Sequence, residues 1–465
     1  MILKTEIPVA KNEYYEIDID GMGHDGQGVG RVEGFTVFVL HALPGDKLKI
    51  KILKVKKTYA YGKLIDIIKP SAHRVNPVCP SFFKCGGCQL QHLVYSEQLK
   101  LKKQQIIDNI QRIGKLEDVV IRDVIGMTKP ERYRNKAQFP VGIGSGSKDI
   151  AIGFYAPRSH NIVEIESCYI QHEMNDDVIK RVKDWMRKYH ITPYDEVTGK
   201  GLVRHIFTRV GLKSGEVMVV LITNGTKIPH KDDLIKNICG ISDHIVSIVQ
   251  NINTKRTNVI LGEQNIVLWG KDSIIDYIGD VKFRISPMSF YQVNPVQTEV
   301  LYNKALEYAG LTGNETVFDI YCGIGTISLF LAKKAKKVIG VEIVPEAIED
   351  AKQNAELNYI ENTEFYVKAA EEVVPELYAK GYKADVVVVD PPRKGCDEAL
   401  LDTIIKMQVE KIVYVSCNPS TLARDLRYLE DGGYKTMEVQ PVDMFPHTAH
   451  VETDCLLSSK IKGFG

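Results

Sequence analysis

From Thr316 onward the chain alternates short β-branched runs with segments long enough for a helix, and this alternation constrains the fold more than any other feature. Candidate strands lie at 317–320, 338–342, 364–367, 384–390 and 412–416, with two more near Val439 and Val451. Antiparallel neighbours can be joined by a tight turn, whereas parallel neighbours need a crossover of a dozen or more residues. Spacings of this length predict an α/β domain, a parallel sheet flanked by helices. In such sheets ligands lie against the carboxyl ends of the strands, so the residues just past each run carry the chemistry.

The first run leads into Asp319-Ile320-Tyr321-Cys322-Gly323-Ile324-Gly325-Thr326. A cofactor packed against that turn requires glycine, because any side chain would hold the backbone away. The next run ends in Glu342, placed to accept hydrogen bonds from two ribose hydroxyls. Together these predict an adenosine-type ligand. The third glycine of the dinucleotide fingerprint would fall at Leu329, which goes against NAD. Further along, Asp390-Pro391-Pro392-Arg393-Lys394-Gly395 sets a carboxylate and two prolines as a rigid polar lip. Ser416-Cys417-Asn418-Pro419 then places Cys417 at a strand end and at the opening of a helix. The helix dipole and Arg424 are expected to favour its thiolate. A cysteine at a strand end is commonly a small buried residue, but the facing Asp-Pro-Pro loop turns the reading toward a nucleophile.

The rest of the 465 residues exceeds one domain at roughly 150 residues each, so two or three folded units are expected. Lys plus Arg is 60 against 59 for Asp plus Glu, so no global basic field announces a polyanion partner. Any nucleic-acid surface must be local. Residues 1–66 read as a small all-β module, with alternation at 15–19 and 36–40. Its Gly26-Gln27-Gly28-Val29-Gly30 lies between short strands and opens no helix, so it is not a dinucleotide loop. Lys47, Lys49 and Lys51 alternate with apolar residues and share one strand face, which can track phosphates or simply be solvated. An amphipathic helix is predicted over 96–114, with Leu99, Ile106, Ile110 and Ile113 on its apolar face. Residues 130–285 alternate β-rich pieces with a helix near 176–189. No apolar run approaches a membrane span and the start lacks a secretory signal, so a cytoplasmic chain is expected.

Nine cysteines in such a chain point to metal or thiol chemistry rather than disulfides. Cys79, Cys85 and Cys88 cluster on a loop containing Gly86 and Gly87. Three thiolates and one distant partner can hold zinc or an iron–sulfur cube, and the absence of a second Cys-x2-Cys knuckle favours the cube.

On these residues, together with Ser289-Phe290-Tyr291-Gln292-Val293-Asn294 and His450-Val451-Glu452, the chain resembles the RNA uracil-C5 methyltransferases. The resemblance covers nearly the whole chain. It implies a class I, Rossmann-like domain dependent on S-adenosylmethionine (SAM) at the C-terminus, an OB-like TRAM barrel that binds RNA at the N-terminus, and a central α+β domain carrying a [4Fe-4S] cluster. The implied division is 1–66, then 67–95 with 130–285, then 96–129 with 286–465. The resemblance assigns SAM contacts to Gln292, Tyr321, Glu342 and Asp390, with Thr326 as a further candidate, and the fourth cluster ligand to Cys168. It makes Cys417 the nucleophile and Glu452 the general base, with the remaining cysteines structural. The chemistry needs both groups: a thiolate added at carbon 6 of uracil makes carbon 5 nucleophilic, and a base must then remove the carbon 5 proton. The cysteine set favours 23S rRNA over tRNA as the partner, with no obligate protein partner. A non-catalytic RNA-binding factor is disfavoured by the intact Cys417 and Glu452, and a cluster-bearing oxidoreductase by the missing third glycine.

Overall fold

The computed structural model describes residues 7–144 and 149–460. Strands β1 (Tyr14–Met22), β2 (Gly28–Val32), β3 (Phe35–Val39), β4 (Lys47–Val55) and β5 (Tyr59–Lys69) close into a barrel in the order β1-β2-β3-β5-β4. Closure leaves no free sheet edge. Alternate residues fill the barrel, among them Ile17, Val37, Leu48, Ile50 and Ile52, so the same period turns Lys47, Lys49 and Lys51 outward. Glycine at position 30 is a packing requirement, because a Cβ there would lie 2.4 Å from the Asp18 carbonyl of the neighbouring strand.

Helix α1 (Tyr95–Arg112) leaves the barrel behind and buries Gln98, Lys102, Ile106 and Ile110. This departs from the expected apolar face: Ile113 is 46% exposed, and two polar residues take inward positions. Strand β6 (Val120–Ile121) is a short edge strand. A mixed sheet follows, built from β7 (Lys136–Ile143), β8 (Ile150–Tyr155), β9 (Ile162–Glu164), β10 (Val203–Val210), β11 (Val217–Thr223), β12 (Ile245–Ile252) and β13 (Gln264–Gly270). Helices α2 (Met174–Lys188) and α3 (Lys231–Cys239) cover one face, where Val178, Val182 and Trp185 pack with Ile206 and Val219. The other face shares a core with the C-terminal part, since Phe207, Val220 and Ile222 cluster with Tyr291 and Leu301. Every residue of β10 and β11 is accordingly buried.

A hairpin, β14 (Ile274–Ile278) and β15 (Val281–Ile285), leads into α4 (Pro295–Ala309). The predicted alternation then appears: β16 (Thr316–Ile320), α5 (Thr326–Ala332), β17 (Lys337–Glu342), α6 (Pro345–Leu357), β18 (Thr363–Val367), α7 (Ala370–Ala379), β19 (Val386–Val389), α8 (Glu398–Met407), β20 (Lys411–Ser416) and α9 (Pro419–Asp431). Two antiparallel strands complete it, β21 (Tyr434–Val442) and β22 (Glu452–Ser459), and the order is β18-β17-β16-β19-β20-β22-β21-β6. Strand β16 pairs with both β17 and β19, so the order reverses there and a crevice opens beyond the carboxyl ends. Strand β22 is inserted between β20 and β21, which brings its first residue, Glu452, beside the end of β20. Helix α1 packs on α9 and β21, and β6 extends the same sheet.

Candidate active site and cysteine cluster

The turn from β16 to α5 is held open by left-handed backbone at Tyr321 (φ 70°), Gly323 (φ 54°) and Gly325 (φ 79°). A non-glycine residue in that region is strained, and the Val341 carbonyl secures it by accepting from the Tyr321 N–H at 2.8 Å and the Cys322 N–H at 3.0 Å. The Glu342 carboxylate accepts from the backbone N–H groups of Gly323, Ile343 and Val344 at 3.2, 2.8 and 3.0 Å. Three backbone donors fix the acid at the glycine turn. On α5, the Thr326 hydroxyl lies 2.9 Å from that of buried Tyr302. Gln292 sits on the loop before α4, where its carbonyl accepts from the Asn135 amide at 2.9 Å.

The crevice is a cavity of about 1130 Å³ whose lining includes Gln292, Tyr321, Thr326, Glu342, Asp390, Cys417 and Glu452. All seven expected residues thus face one space. Its volume exceeds the roughly 300–1,000 Å³ of a pocket for one drug-sized ligand, leaving room for a nucleoside cofactor and an extruded base. Glu342 and the glycine turn form one end, and Cys417 and Glu452 the other.

The end at Cys417 and Glu452 is acidic and enclosed. Burial pushes Asp390 up to about 7, helped by the neighbouring Asp319, which burial also pushes up to about 7. Burial and Asp390 raise Glu452 well above the usual carboxylate range, with Arg393 opposing. The expected lowering of this thiol is not what its surroundings give: burial, then the carboxylates of Glu452 and Asp390, push Cys417 up to about 11, against the pull of Arg393. Arg424 cannot help, because its guanidinium donates to Asp425 and to the Lys394 carbonyl.

Several lining groups escaped the sequence reading. Phe290 is 65% exposed at the cavity, with the Lys136 ammonium 6.0 Å from its ring centroid. Its signal was present inside the Ser289–Asn294 motif. Phe445 and His450 come from the segment between β21 and β22, which is anchored from several directions. The Lys102 ammonium donates to Asp443 at 2.5 Å, the Tyr95 hydroxyl to Asp443 at 2.8 Å, and the Tyr133 hydroxyl to the Pro446 carbonyl at 3.0 Å. Gln98 donates to the Leu90 and Leu93 carbonyls and accepts from the His447 N–H, so the polar residues on α1 face partners rather than an apolar core.

Cys79, Cys85, Cys88 and Cys168 line a second cavity of about 130 Å³, together with Gln91 and Arg134. None of the four is in a disulfide. The Gly87 N–H donates to the Cys85 sulfur and the Gln91 amide to the Cys88 sulfur, each at 3.3 Å. Among the described residues no three ligating groups converge tightly enough for a single metal ion. This loop touches the segment that lines the larger cavity: the N–H groups of Gln89 and Leu90 both donate to the His447 carbonyl at 2.9 Å.

A switch-point crevice with a glycine turn, an acid at the end of the next strand and a strand-end cysteine fits a SAM-dependent methyltransferase. Residues 246–460 match the family model described as tRNA (Uracil-5-)-methyltransferase, and residues 8–65 match the TRAM domain. The chain is 56% identical over 456 residues to an RNA methyltransferase of Clostridium tetani, covering 98% of each. It is 56% identical over 457 residues to one of Halalkalibacterium halodurans, covering 98% of this chain and 99% of that one. The fold is similar to the Pyrococcus abyssi tRNA (uracil-54, C5)-methyltransferase solved with S-adenosyl-L-homocysteine, with TM-score 0.77, 30% identity, and coverage of 95% of this chain and 99% of that one. The chain belongs to the RNA uracil-5-methyltransferase family. Among the described residues, no helix is long and apolar enough to cross a membrane.

Proposed function

We propose that this protein methylates carbon 5 of uridines in 23S rRNA, with Cys417 as nucleophile and Glu452 as general base. The observation that carries the reading is the shared cavity, with Cys417 and Glu452 at one end and Glu342 at the other. SAM, when bound, supplies an electrophilic methyl group and a positive charge. Gln292, Tyr321, Thr326, Glu342 and Asp390 would hold it, with Glu342 accepting from the ribose hydroxyls.

Cys417 rests as a thiol, so its proton leaves as sulfur adds to carbon 6. Asp390 acts on Cys417 and is poised near 7, which suits it to take that proton. The adduct makes carbon 5 nucleophilic toward the methyl group. Glu452 then removes the carbon 5 proton, and the Cys417 sulfur departs as the double bond re-forms. Phe290, with Lys136 over its ring, offers the stacking platform an extruded base needs. Lys49 and Lys51 flank the Tyr14 ring at 5.7 and 5.5 Å on the barrel's outer face, a surface suited to a phosphate backbone.

Cys79, Cys85, Cys88 and Cys168 are the residues that would hold a [4Fe-4S] cluster. What supports that reading is that the four free thiols line one cavity. Methyl transfer consumes no electrons, so the group's part would be to brace the loop that meets His447. Protein prepared without oxygen should contain about four irons and four sulfides per chain, and Cys88→Ser should lose them. We read residues 1–66 as the RNA-binding unit, 67–95 with 130–285 as the cluster-bearing unit, and 96–129 with 286–465 as the catalytic unit, all in the cytoplasm with the ribosome.

A second reading, tRNA as substrate, is favoured by the likeness to the Pyrococcus abyssi enzyme. Radiolabelled SAM offered with unmodified 23S rRNA and tRNA transcripts separates the two, and no transfer to either refutes both. Glu452→Gln should accumulate a covalent protein–RNA adduct, and its absence would remove Glu452 from the base role.

A further inference from the structure

Asp454 follows Glu452 by two residues on β22, so both carboxyls leave the strand on one face, with Cβ atoms about 6.5–7 Å apart. Asp454 is 0% exposed. Neither of its carboxylate oxygens has a hydrogen-bond partner among the described residues. A charged carboxylate in that position is among the costliest arrangements a protein interior can hold, and it is relieved by taking up a proton.

The groups packed around it offer no adequate counter-charge. From α4, Lys304 reaches toward it but is engaged with Glu307 at 2.8 Å and Glu438 at 3.7 Å, and Tyr308 donates its hydroxyl to Glu438 at 2.9 Å. From β21 the directly opposed residue is uncharged Gln440, with Glu438 diagonal to it. From β20 it is Val415, and beyond the end of β19 stands Asp390. Arg393 acts on Glu452, while Cys455 points into the core on the opposite side of the sheet. Burial, then Asp390 and Glu452, raise Asp454 well above the usual carboxylate range. Glu452 lines the cavity and Asp454 lies behind it, out of reach of any substrate.

We infer that Asp454 is a positioning residue that titrates jointly with Glu452 and thereby sets the pH range over which Glu452 is available as a base. Two carboxyls this close in a dry interior do not both ionise near neutrality and titrate as a pair. Removal of the carbon 5 proton adds one proton to the pair, and that proton returns to solvent before the next turnover. The inference rests on the assignment of Glu452 as base.

The test is the pH dependence of single-turnover methyl transfer for Asp454→Asn, which keeps the shape and deletes the titrating group. The acid limb of the profile should move down by about one pH unit, as expected for a pair interacting that strongly, with KM for RNA and affinity for SAM unchanged. Asp454→Leu, which makes the site apolar, should shift the limb the same way, and serves if the Asn variant fails to fold. A profile superimposable on that of the natural protein in the folded variant overturns the inference. Glu452→Gln keeps the two claims apart. An adduct there with an unshifted Asp454→Asn profile refutes the pairing alone, whereas no adduct refutes the base assignment on which the pairing rests.

Discussion

Iodoacetamide reacts with a cysteine as its thiolate, so the alkylation rate of Cys417 in the ligand-free protein measures how firmly the proton is held. Burial, with Glu452 and Asp390 beside it, pushes that thiol up to about 11 from an ordinary 9.0. At pH 8 an ordinary thiol of this kind is ionised in roughly one molecule in ten, and Cys417 in roughly one in a thousand. Its alkylation at pH 8 should therefore be about a hundredfold slower than that of an exposed cysteine, before steric shielding is counted, and should climb about tenfold per pH unit toward 11. The neighbours set the sign of two further changes. Glu452→Gln removes the larger of the two opposing carboxylate charges and should speed the reaction, while Arg393→Ala removes the cation that favours the thiolate and should slow it. The readout is mass spectrometry of the peptide containing Cys417, with Cys417→Ser as the blank. A rate that levels off below pH 9 in the natural protein would refute the reasoning, because it would mean that the helix end outweighs burial and the carboxylates.

Lys102→Met should cost about 3–5 kcal/mol in urea unfolding, since it strands the Asp443 carboxylate; both partners are buried, at 1% and 0% exposure. A loss under about 1 kcal/mol would show that the Tyr95 hydroxyl alone suffices for Asp443. Gly201→Ala should destabilise the central sheet by at least about 1–3 kcal/mol, because φ is 98° and a Cβ would meet the Pro193 carbonyl oxygen at 1.9 Å; a thermal midpoint equal to that of the natural protein would contradict this. Lys49→Glu with Lys51→Glu should weaken RNA binding and flatten its salt dependence by about 0.7 in log–log slope per lost phosphate contact. An unchanged slope would mean that this barrel face does not meet the RNA.

The strand ends were legible because a parallel sheet covered on both faces is written as uninterrupted β-branched runs such as Val386–Val389, and the chemistry sits where such runs stop. Glu342, Asp390 and Cys417 were singled out that way, whereas Tyr321 came from the family resemblance. The inward face of α1 was read correctly at Ile106 and Ile110 and missed at Gln98 and Lys102, whose partners include His447 and Asp443, more than 340 residues away in the chain, which no local periodicity records. The insertion of β22 between β20 and β21 was hidden for the same reason, and with it the carboxylate that raises Cys417. Ionisation at Cys417 was misjudged because helix ends are local and visible, whereas Glu452 and Asp390 come from two other strands. The central sheet gave no chemistry from spacing, and in the structure its inner face is packing surface for the catalytic part.

The segment from Asp443 to His450 gives one wall of the catalytic cavity, yet its supports come from α1, from the cysteine loop and from Tyr133 near the central sheet. A wall built this way cannot travel alone. A fragment carrying only the parallel sheet and its helices would keep the glycine turn and Glu342, but it would have Asp443 without its lysine and the His447 carbonyl without its donors. Gene fusion or domain exchange at the seams of this chain would therefore leave the glycine turn in place while stripping this wall of its supports.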